Sequence, residues 1–216
     1  MKRSLIFLSL ILFSFQSEIT AQNTREGVYL SANDFINRKI SFANDSPGEK
    51  YQLHINEFFS TTSVKVVIGD SVITLLKDSI YGYCDKKGIY FRFYKKAVFE
   101  IMNPSEKILL YRRTSEVGPP RNRSLVTNYY FSETAASPIY PLNKWNLKAA
   151  NGKDVHFDEL LDVYFHFDDE LTAYDSINKT YFLNRVYEES KLESEEKHNK
   201  INEYESKCSI FNNDRN

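Results

Sequence analysis

The chain has 216 residues and a formal net charge of −1, a length that suits one domain or one domain with an appendage. This near-zero charge provides no global basic field, which argues against nucleic-acid binding. Aromatic residues make up 15% of the sequence, and this favours a β-rich core because aromatic side chains suit a half-buried pleated surface.

The first 21 residues predict a secretory signal peptide. Lys2 and Arg3 supply a positive start, Leu5 to Phe15 an apolar segment, and Ala21 the last position of a cleavage site. The apolar segment is well short of the roughly 20 residues that span a bilayer, so no stable membrane span is expected after cleavage; a retained anchor is the alternative. We therefore expect an exported protein, periplasmic or extracellular, whose mature chain begins near Gln22.

Residues 22–135 are predicted to be a β-rich region of short strands. Ser31 would cap a brief helix, with Asp34 at the capping-box position. Farther on, two aliphatic runs flank Gly69-Asp70, a pair suited to a tight hairpin turn. Six or seven strands with short connections favour an antiparallel meander or partial barrel. The segment from Thr114 to Leu125 is expected to be irregular because it contains a Gly-Pro-Pro run.

The centre of this region is a predicted hairpin in which Asp85 to Gly88 form a four-residue break. Period-two alternation with that register places five side chains on one face: Tyr81, Tyr83, Tyr90, Arg92 and Tyr94. If the face is open, these five residues are a stacking platform that binds a sugar or a peptide. In the alternative, helices of the C-terminal half cover the face and the same residues belong to a second core.

After Pro141 the period of the apolar residues changes from two to 3.6, which predicts helices. A short helix is expected from Asn143 to Ala150, ended by Asn151-Gly152. An apolar stripe at helical spacing then runs from Phe157 to Tyr181, with a break near Phe167. The acidic residues Asp168, Asp169 and Glu170 are interpreted as the N-terminal cap of the last helix.

These patterns divide the C-terminal half into two parts. Residues 136–187 are predicted to be a helical region that packs on the sheet. Residues 188–216 are predicted to be a polar helical tail. Several Glu residues there lie four positions before a Lys, a spacing that stabilises a solvated helix. A coiled-coil partner site is the alternative reading of the tail.

Two cysteines, Cys84 and Cys208, raise the question of a disulfide. An oxidising compartment permits the pair, provided that the tail folds back onto the sheet. In the alternative, Cys84 is a small buried hydrophobic residue and Cys208 is free.

One motif suggests hydrolytic chemistry. Gly69-Asp70-Ser71 follows an aliphatic run and resembles the nucleophile block of the Gly-Asp-Ser-Leu esterases, in which a late Asp-x-x-His supplies the base. That second motif is absent from the sequence, and a nucleophilic serine needs a base within hydrogen-bond reach. A hairpin turn at Ser71 is therefore the favoured interpretation.

The remaining polar clusters predict no metal site and no cofactor. The four histidines are scattered and match no metal-ligand spacing. No pair of carboxylates can be assigned acid and base roles from spacing alone. The arginines Arg112, Arg113, Arg121 and Arg123 cluster around the Gly-Pro-Pro run, where they either meet an anionic ligand or the envelope surface or belong to a solvated loop.

Three blocks of the sequence resemble a known family. They are Asp78 to Gly88 with Tyr90 to Tyr94, Tyr140 to Leu142 with Asn146 to Lys148, and Glu170 to Asp175 continuing through Tyr181 to Arg185. Together they resemble a family of small secreted proteins of unknown function from Bacteroidota, over residues 27–190. The family usually has Phe-Pro after the Asn-Leu-Lys helix, where this chain has Ala149-Ala150-Asn151. The resemblance implies export and implies no chemistry.

The sequence thus predicts an α+β protein with an N-terminal antiparallel β-meander or partial barrel followed by C-terminal helices. The expected function is that of a non-enzymatic binding or association module of the cell envelope, with an envelope protein or a glycan as partner. The alternative is a hydrolase of envelope or glycan substrates that uses Ser71 or carboxylates not yet assigned.

Overall fold

The computed structural model of the protein describes residues 25–43, 50–55, 62–119, 121–152 and 154–196. The predicted signal peptide, Cys208 and the tail from residue 197 onward lie outside the described residues.

The described residues form two antiparallel sheets and a small ribbon. The strands are β1 (Gly27–Tyr29), β2 (Tyr51–His54), β3 (Ser63–Ile68), β4 (Ser71–Leu76), β5 (Gly82–Cys84), β6 (Tyr90–Tyr94), β7 (Ala97–Ile101), β8 (Leu109–Val117), β9 (Ser124–Ser132), β10 (Tyr140–Pro141), β11 (Tyr174–Asp175) and β12 (Thr180–Tyr181). The main sheet has seven strands in the order β1-β5-β6-β7-β8-β9-β10, the small sheet has the order β2-β3-β4, and β11 pairs with β12. From β5 onward the main sheet is a meander, because each strand pairs with the next one along the chain.

Four α-helices accompany these strands within the described part of the chain: α1 (Ala32–Ile36), α2 (Lys144–Asn151), α3 (Val155–Tyr164) and α4 (residues 182–196). Short 3-10 helices cover Lys77–Ser79 and Asp168–Thr172. The predicted α+β class, with strands first and helices after them, is confirmed. No helix in the described ranges is both long and apolar enough to cross a membrane.

Several local predictions agree with the structure because they rest on cap and turn chemistry. The Ser31 hydroxyl accepts a hydrogen bond from the Asp34 N–H at 3.1 Å, and the Asp34 carboxylate accepts one from the Ser31 N–H at 3.0 Å, so both halves of the capping box are present. Gly69 has a φ of 59° in the turn between β3 and β4, a left-handed conformation that glycine adopts without strain. Gly152, with a φ of 31°, ends α2.

The main sheet is covered on both faces. The front face carries Tyr29, Tyr90, Phe99 and Tyr111, which pack with Phe35 of α1 and with the segment that follows β9. The back face is covered twice. At one end, the small sheet packs on it through Val64 and Val66 against Val28, Tyr83 and Phe93; at the other end, the C-terminal helices pack on it through Leu147, Phe157, Leu161 and Leu183 against Leu110 and Phe131.

The structure corrects the prediction for Thr114 to Leu125. Most of this segment is regular strand, because β8 continues to Val117 and β9 begins at Ser124, and the two strands pair over their full length. The hydroxyls of Thr114 and Thr127, which face each other in this ladder, are hydrogen bonded at 2.8 Å. The two strands therefore project as an exposed arm, with Gly118 at a φ of 113° where they turn.

The prediction of a helical stripe reaching Tyr181 is wrong beyond α3. Tyr174 and Tyr181 face each other in the β11–β12 ribbon, and the side chain of Ile177 at its turn is 89% exposed. The physical reason is the Asp175 carboxylate, which accepts hydrogen bonds from the N–H groups of Ile177 and Asn178 at 3.0 Å and so favours a turn over a helix. The acidic residues 168–170 likewise begin a 3-10 helix and not the last α-helix.

Candidate functional site

The five residues predicted to share one face are divided between the two faces of the main sheet. Cys84 pairs with Tyr90 and Tyr83 pairs with Phe91, so five residues separate β5 from β6 where the sequence suggested four. The additional residue reverses the facing of one strand relative to the other. Tyr90, Arg92 and Tyr94 consequently lie on the front face with Tyr81 beside them, whereas Tyr83 lies on the back face, and the predicted common face is wrong.

The cause of the shifted register is the turn itself. The Asp85 carboxylate accepts hydrogen bonds from the N–H groups of Lys87 at 2.9 Å and Ile89 at 2.8 Å, and Gly88 has a φ of 78°. The Asp85 N–H also bonds to the Ile89 carbonyl at 3.0 Å, so Asp85 and Ile89 face each other at the base of the turn, next to the Cys84–Tyr90 pair.

Arg92 lies in a buried aromatic cage on the front face. Its side chain is 5% exposed, and its guanidinium carbon lies 5.1–5.9 Å from the ring centres of Tyr81, Tyr94 and Tyr111. It donates hydrogen bonds to the Tyr111 hydroxyl and to the Ser137 carbonyl, both at 2.9 Å. No ion pair joins it to a carboxylate among the described residues. The geometry gives Arg92 a packing role, in which it ties the segment after β9 to the sheet.

The tyrosines around this cage are also packed. Tyr81 stacks on Phe35 of α1 with ring centres 5.0 Å apart, and burial raises the pKa of its hydroxyl. Tyr83 stacks on Phe91 at 4.7 Å beneath the small sheet. Among the described residues, the cover over these rings comes from α1, the segment after β9 and the small sheet, whereas helices α2 to α4 pack in a different core. Ligand binding by these residues stays a prediction.

A more open site lies on the back face, between the small sheet and the C-terminal helices. There β7 and β8 pair only at Glu100–Arg112 and Ile101–Tyr111, although both strands continue beyond Glu100–Arg112. The resulting gap, here named the seam cleft, has a volume of about 580 Å³. Its walls are formed by Lys77, Phe91, residues 96–98, Glu100, residues 112–114, Glu116 and Leu125.

The edge of β8 in the seam cleft presents backbone groups that pair with no strand in the described part of the chain. Leu110 directs its N–H to the Asn103 side chain at 2.6 Å and its carbonyl to the Met102 N–H at 2.8 Å, so its polar groups face β7. The backbone N–H and C=O groups of successive strand residues point to opposite edges of the strand. Those of Thr114 and Glu116 therefore point to the same edge as those of Leu110. The ladder with β7 has ended before them. Since no strand among the described residues pairs with this part of β8, the edge can accept hydrogen bonds from, and donate them to, another chain.

The charged side chains of the seam cleft leave an excess of positive charge. Glu100 pairs with Arg112 at 2.6 Å, which raises the pKa of the arginine through their hydrogen bond, and Glu116 pairs with Arg123 at 2.7 Å. Lys77 and Lys96 also line the cleft, and no ion pair joins either of them to a carboxylate among the described residues. The cleft is thus suited to an anionic ligand.

The predicted arginine group contributes to this site only in part. Arg112 and Arg113 line the seam cleft, with the Arg113 guanidinium 5.9 Å from the ring centre of Phe99 on the front face. Arg123 reaches the cleft through its ion pair with Glu116. Nothing in the sequence distinguishes Lys77 and Lys96 from other lysines, because their position at the cleft depends on where the β7–β8 ladder ends.

The other candidate groups lie in different surroundings. Ser71 is exposed and opens β4, paired with Ile68 in an antiparallel hairpin, which is the turn context and not the strand-to-helix context of the esterase block. Cys84 is buried, and burial raises the pKa of its thiol to about 11. The proposed disulfide partner Cys208 lies outside the described residues. Within the described ranges, no group of three or more His, Cys, Asp or Glu side chains could hold a metal ion.

Comparisons with known proteins identified no protein that is similar to this chain. No protein-family model, no curated protein and no solved structure matches the chain significantly.

Proposed function

We propose that the protein is exported to the cell envelope, periplasmic or extracellular, and that it acts there as a binding module through the seam cleft. Support for export comes from the signal-like first 21 residues and from the resemblance to small secreted proteins of Bacteroidota. The partner is a component of the envelope, either a protein or a glycan.

The observation that carries the proposal is the opening of the main sheet between β7 and β8. Ligand sites in proteins commonly have volumes of roughly 300–1,000 Å³ and combine apolar walls with a few placed polar groups. The seam cleft, at about 580 Å³, lies within that range. Phe91 and Val98 contribute apolar surface, and the Arg112–Glu100 pair and Lys96 contribute charge.

The position of the cleft also suits binding. Phe91 and Val98 in its walls pack into the core beneath the small sheet, so this part of the site is held by packed strands. A pre-formed site of this kind loses less entropy when a ligand binds.

Co-sedimentation with isolated cell envelopes tests the proposal. Purified protein is mixed with envelope material from cells that produce it naturally, and the bound fraction is measured against protein concentration. Thr114→Trp places a large side chain on the cleft floor, where Trp remains compatible with a strand. Val126→Trp is the matched control, because Val126 lies on the same arm but its ladder partner is Ser115, which faces the front.

Wild type and the control should sediment with the same saturable affinity, and Thr114→Trp should bind about tenfold more weakly. Equal binding of all three proteins would contradict a role for the seam cleft. Export is measured separately by sequencing the N-terminus of the protein recovered outside the cytoplasm, which should begin near Gln22. Recovery of an uncleaved chain from the cytoplasm alone would count against export.

A further inference from the structure

We propose that the ligand of the seam cleft is an acidic peptide segment that binds in an extended conformation and adds as a strand to the free edge of β8. This inference rests on the proposed function and specifies the partner class. Its basis is one cleft that combines backbone groups without a strand partner and lysine charges without an ion pair, as far as the described residues show.

The backbone groups determine the conformation of the ligand. The N–H and C=O groups of Thr114 and Glu116 face the cleft, and the ladder that would satisfy them ends at Arg112. A peptide that lies about 4.8 Å from β8 can complete this ladder, as in other cases of strand addition. Main-chain hydrogen bonds of this kind provide affinity for any extended chain and leave selectivity to the side chains.

The charged groups determine the composition of the ligand. The exposed Lys96 belongs to the turn between β6 and β7, at one end of the open segment, and is the lysine that a ligand can contact. Lys77 also borders the cleft but is only 6% exposed, with its ammonium 5.7 Å from the ring centre of Phe93. The two carboxylates of the cleft, Glu100 and Glu116, already have arginine partners. Acidic side chains on the ligand therefore gain attraction, whereas basic side chains meet like charges.

The alternation of side chains along a strand further restricts the sequence of the peptide ligand. Side chains of an added strand point to the two faces in turn, so every second residue faces the back, where Lys77, Lys96 and Leu125 line the cleft. Acidic residues at alternate positions, separated by β-branched residues, meet both requirements. Lysines on an open edge also oppose pairing with a second copy of the same edge, which makes self-association a poorer explanation.

The experiment measures binding of synthetic peptides to the purified protein by fluorescence anisotropy at low ionic strength. The first probe is a labelled seven-residue peptide that alternates Glu and Val. The second alternates Lys and Val. The third has the sequence of the first but carries N-methyl groups on alternate amides, which removes donors on one edge and keeps every side chain. The fourth probe is an oligogalacturonate of similar charge.

The protein variants separate backbone pairing from charge. Thr114→Pro removes an edge N–H that is not part of the β9 ladder, a position where strands tolerate proline, and Thr114→Ala measures the separate effect of losing the threonine side chain. Lys96→Glu reverses a charge of the cleft, and Lys39→Glu reverses one on an exposed lysine close to α1, away from the cleft. Circular dichroism spectra that match wild type establish that each variant is folded.

Wild type should bind the Glu-Val peptide and not the Lys-Val peptide. N-methylation and Thr114→Pro should each weaken binding about tenfold, the loss expected for a missing main-chain hydrogen bond and the displacement of its neighbours. Lys96→Glu should weaken binding of the Glu-Val peptide, Lys39→Glu should bind like wild type, and Thr114→Pro should bind more weakly than Thr114→Ala.

Three results would overturn the inference: no binding of the Glu-Val peptide, equal binding of its N-methylated form, or equal binding by Lys96→Glu. If the oligogalacturonate binds in a manner that Thr114→Trp blocks while the peptide does not bind, the partner is an acidic glycan, and the proposed function stands without the strand. If Thr114→Trp leaves envelope binding unchanged, the proposed function itself fails.

Discussion

Asn103 offers a quantitative test of how β8 is held at the end of the seam cleft. Its side chain is 5% exposed and makes three hydrogen bonds: Oδ1 accepts from the Leu110 N–H at 2.6 Å, and Nδ2 donates to the Ile108 carbonyl at 2.8 Å and to Glu106 at 2.9 Å. Asn103 thus takes the place of a strand partner for the first residues of β8.

The effect of Asn103→Ala follows from which of these groups lose their partner. The Ile108 carbonyl keeps the donor of Asn184 at 3.0 Å. The Leu110 N–H loses its side-chain acceptor, and a buried donor without a partner costs about 1–3 kcal/mol. The lost bond to the Glu106 carboxylate adds about 1 kcal/mol. We therefore expect the free energy of unfolding to fall by about 2–4 kcal/mol, a large fraction of the roughly 5–15 kcal/mol typical of a domain.

Urea unfolding followed by circular dichroism measures this change, with the m-value checked for constancy so that the midpoint reports stability. Asn128→Ala is the control, since Asn128 is exposed and should change stability by less than about 0.5 kcal/mol. A loss for Asn103→Ala as small as that of the control would refute the assignment of Asn103 as the partner of β8.

Three further predictions concern other parts of the fold. For Gly82→Ala, the added Cβ would overlap with the Phe91 carbonyl oxygen of β6, so we expect the unfolding free energy to fall by about 3 kcal/mol or more, and an unchanged urea midpoint would contradict this contact. Burial raises the pKa of the Cys84 thiol to about 11, so in a Cys208→Ser variant the thiol should stay unreactive toward a disulfide reagent at pH 8 until urea unfolds the protein. In wild type, the absence of any free thiol after unfolding would indicate the disulfide. Hydrogen bonds from Asn178, and then from Arg185 and Ile177, hold the pKa of Asp175 well below its usual range. Asp175 therefore stabilises the fold above the unfolded pKa of roughly 3.9 and loses this contribution as the pH falls through the lower folded pKa. Nuclear magnetic resonance titration of its carboxylate should show the lowered midpoint, and a midpoint near the usual value would disprove it.

Sequence reasoning succeeded where the signal is local. The Ser31 cap, the Gly69-Asp70 turn and the end of α2 at Gly152 depend on side chains a few residues apart, and the structure contains all three. The order of strands and helices follows from the change in apolar period after Pro141. These features needed no knowledge of distant contacts.

Register was not predictable by the same means. The residues from Asp85 to Gly88 suggest a four-residue break that pairs Cys84 with Ile89, but Asp85 bonds to Ile89 through both its side chain and its N–H, so Cys84 pairs with Tyr90. One residue is enough to move Tyr83 to the opposite face from Tyr90, so the predicted tyrosine face divides.

The position of the seam cleft depends on contacts between residues that lie far apart in the sequence. It exists because the β7–β8 ladder ends at Glu100–Arg112 while β8 continues with β9, and no sequence pattern marks that point. The sequence marks Arg112 only as one member of a basic cluster. Lys77 and Lys96 become functional candidates through their place in the fold.

The aromatic cage around Arg92 has a consequence for the opposite side of the sheet. The Arg92 guanidinium is held by rings and neutral oxygens, and the surrounding protein screens its charge less than water does. Part of its potential therefore extends through the single layer of strands toward the seam cleft. Salt should shield the exposed Lys96 within a Debye length but affect this interior charge much less, so some attraction for anions should persist at high ionic strength.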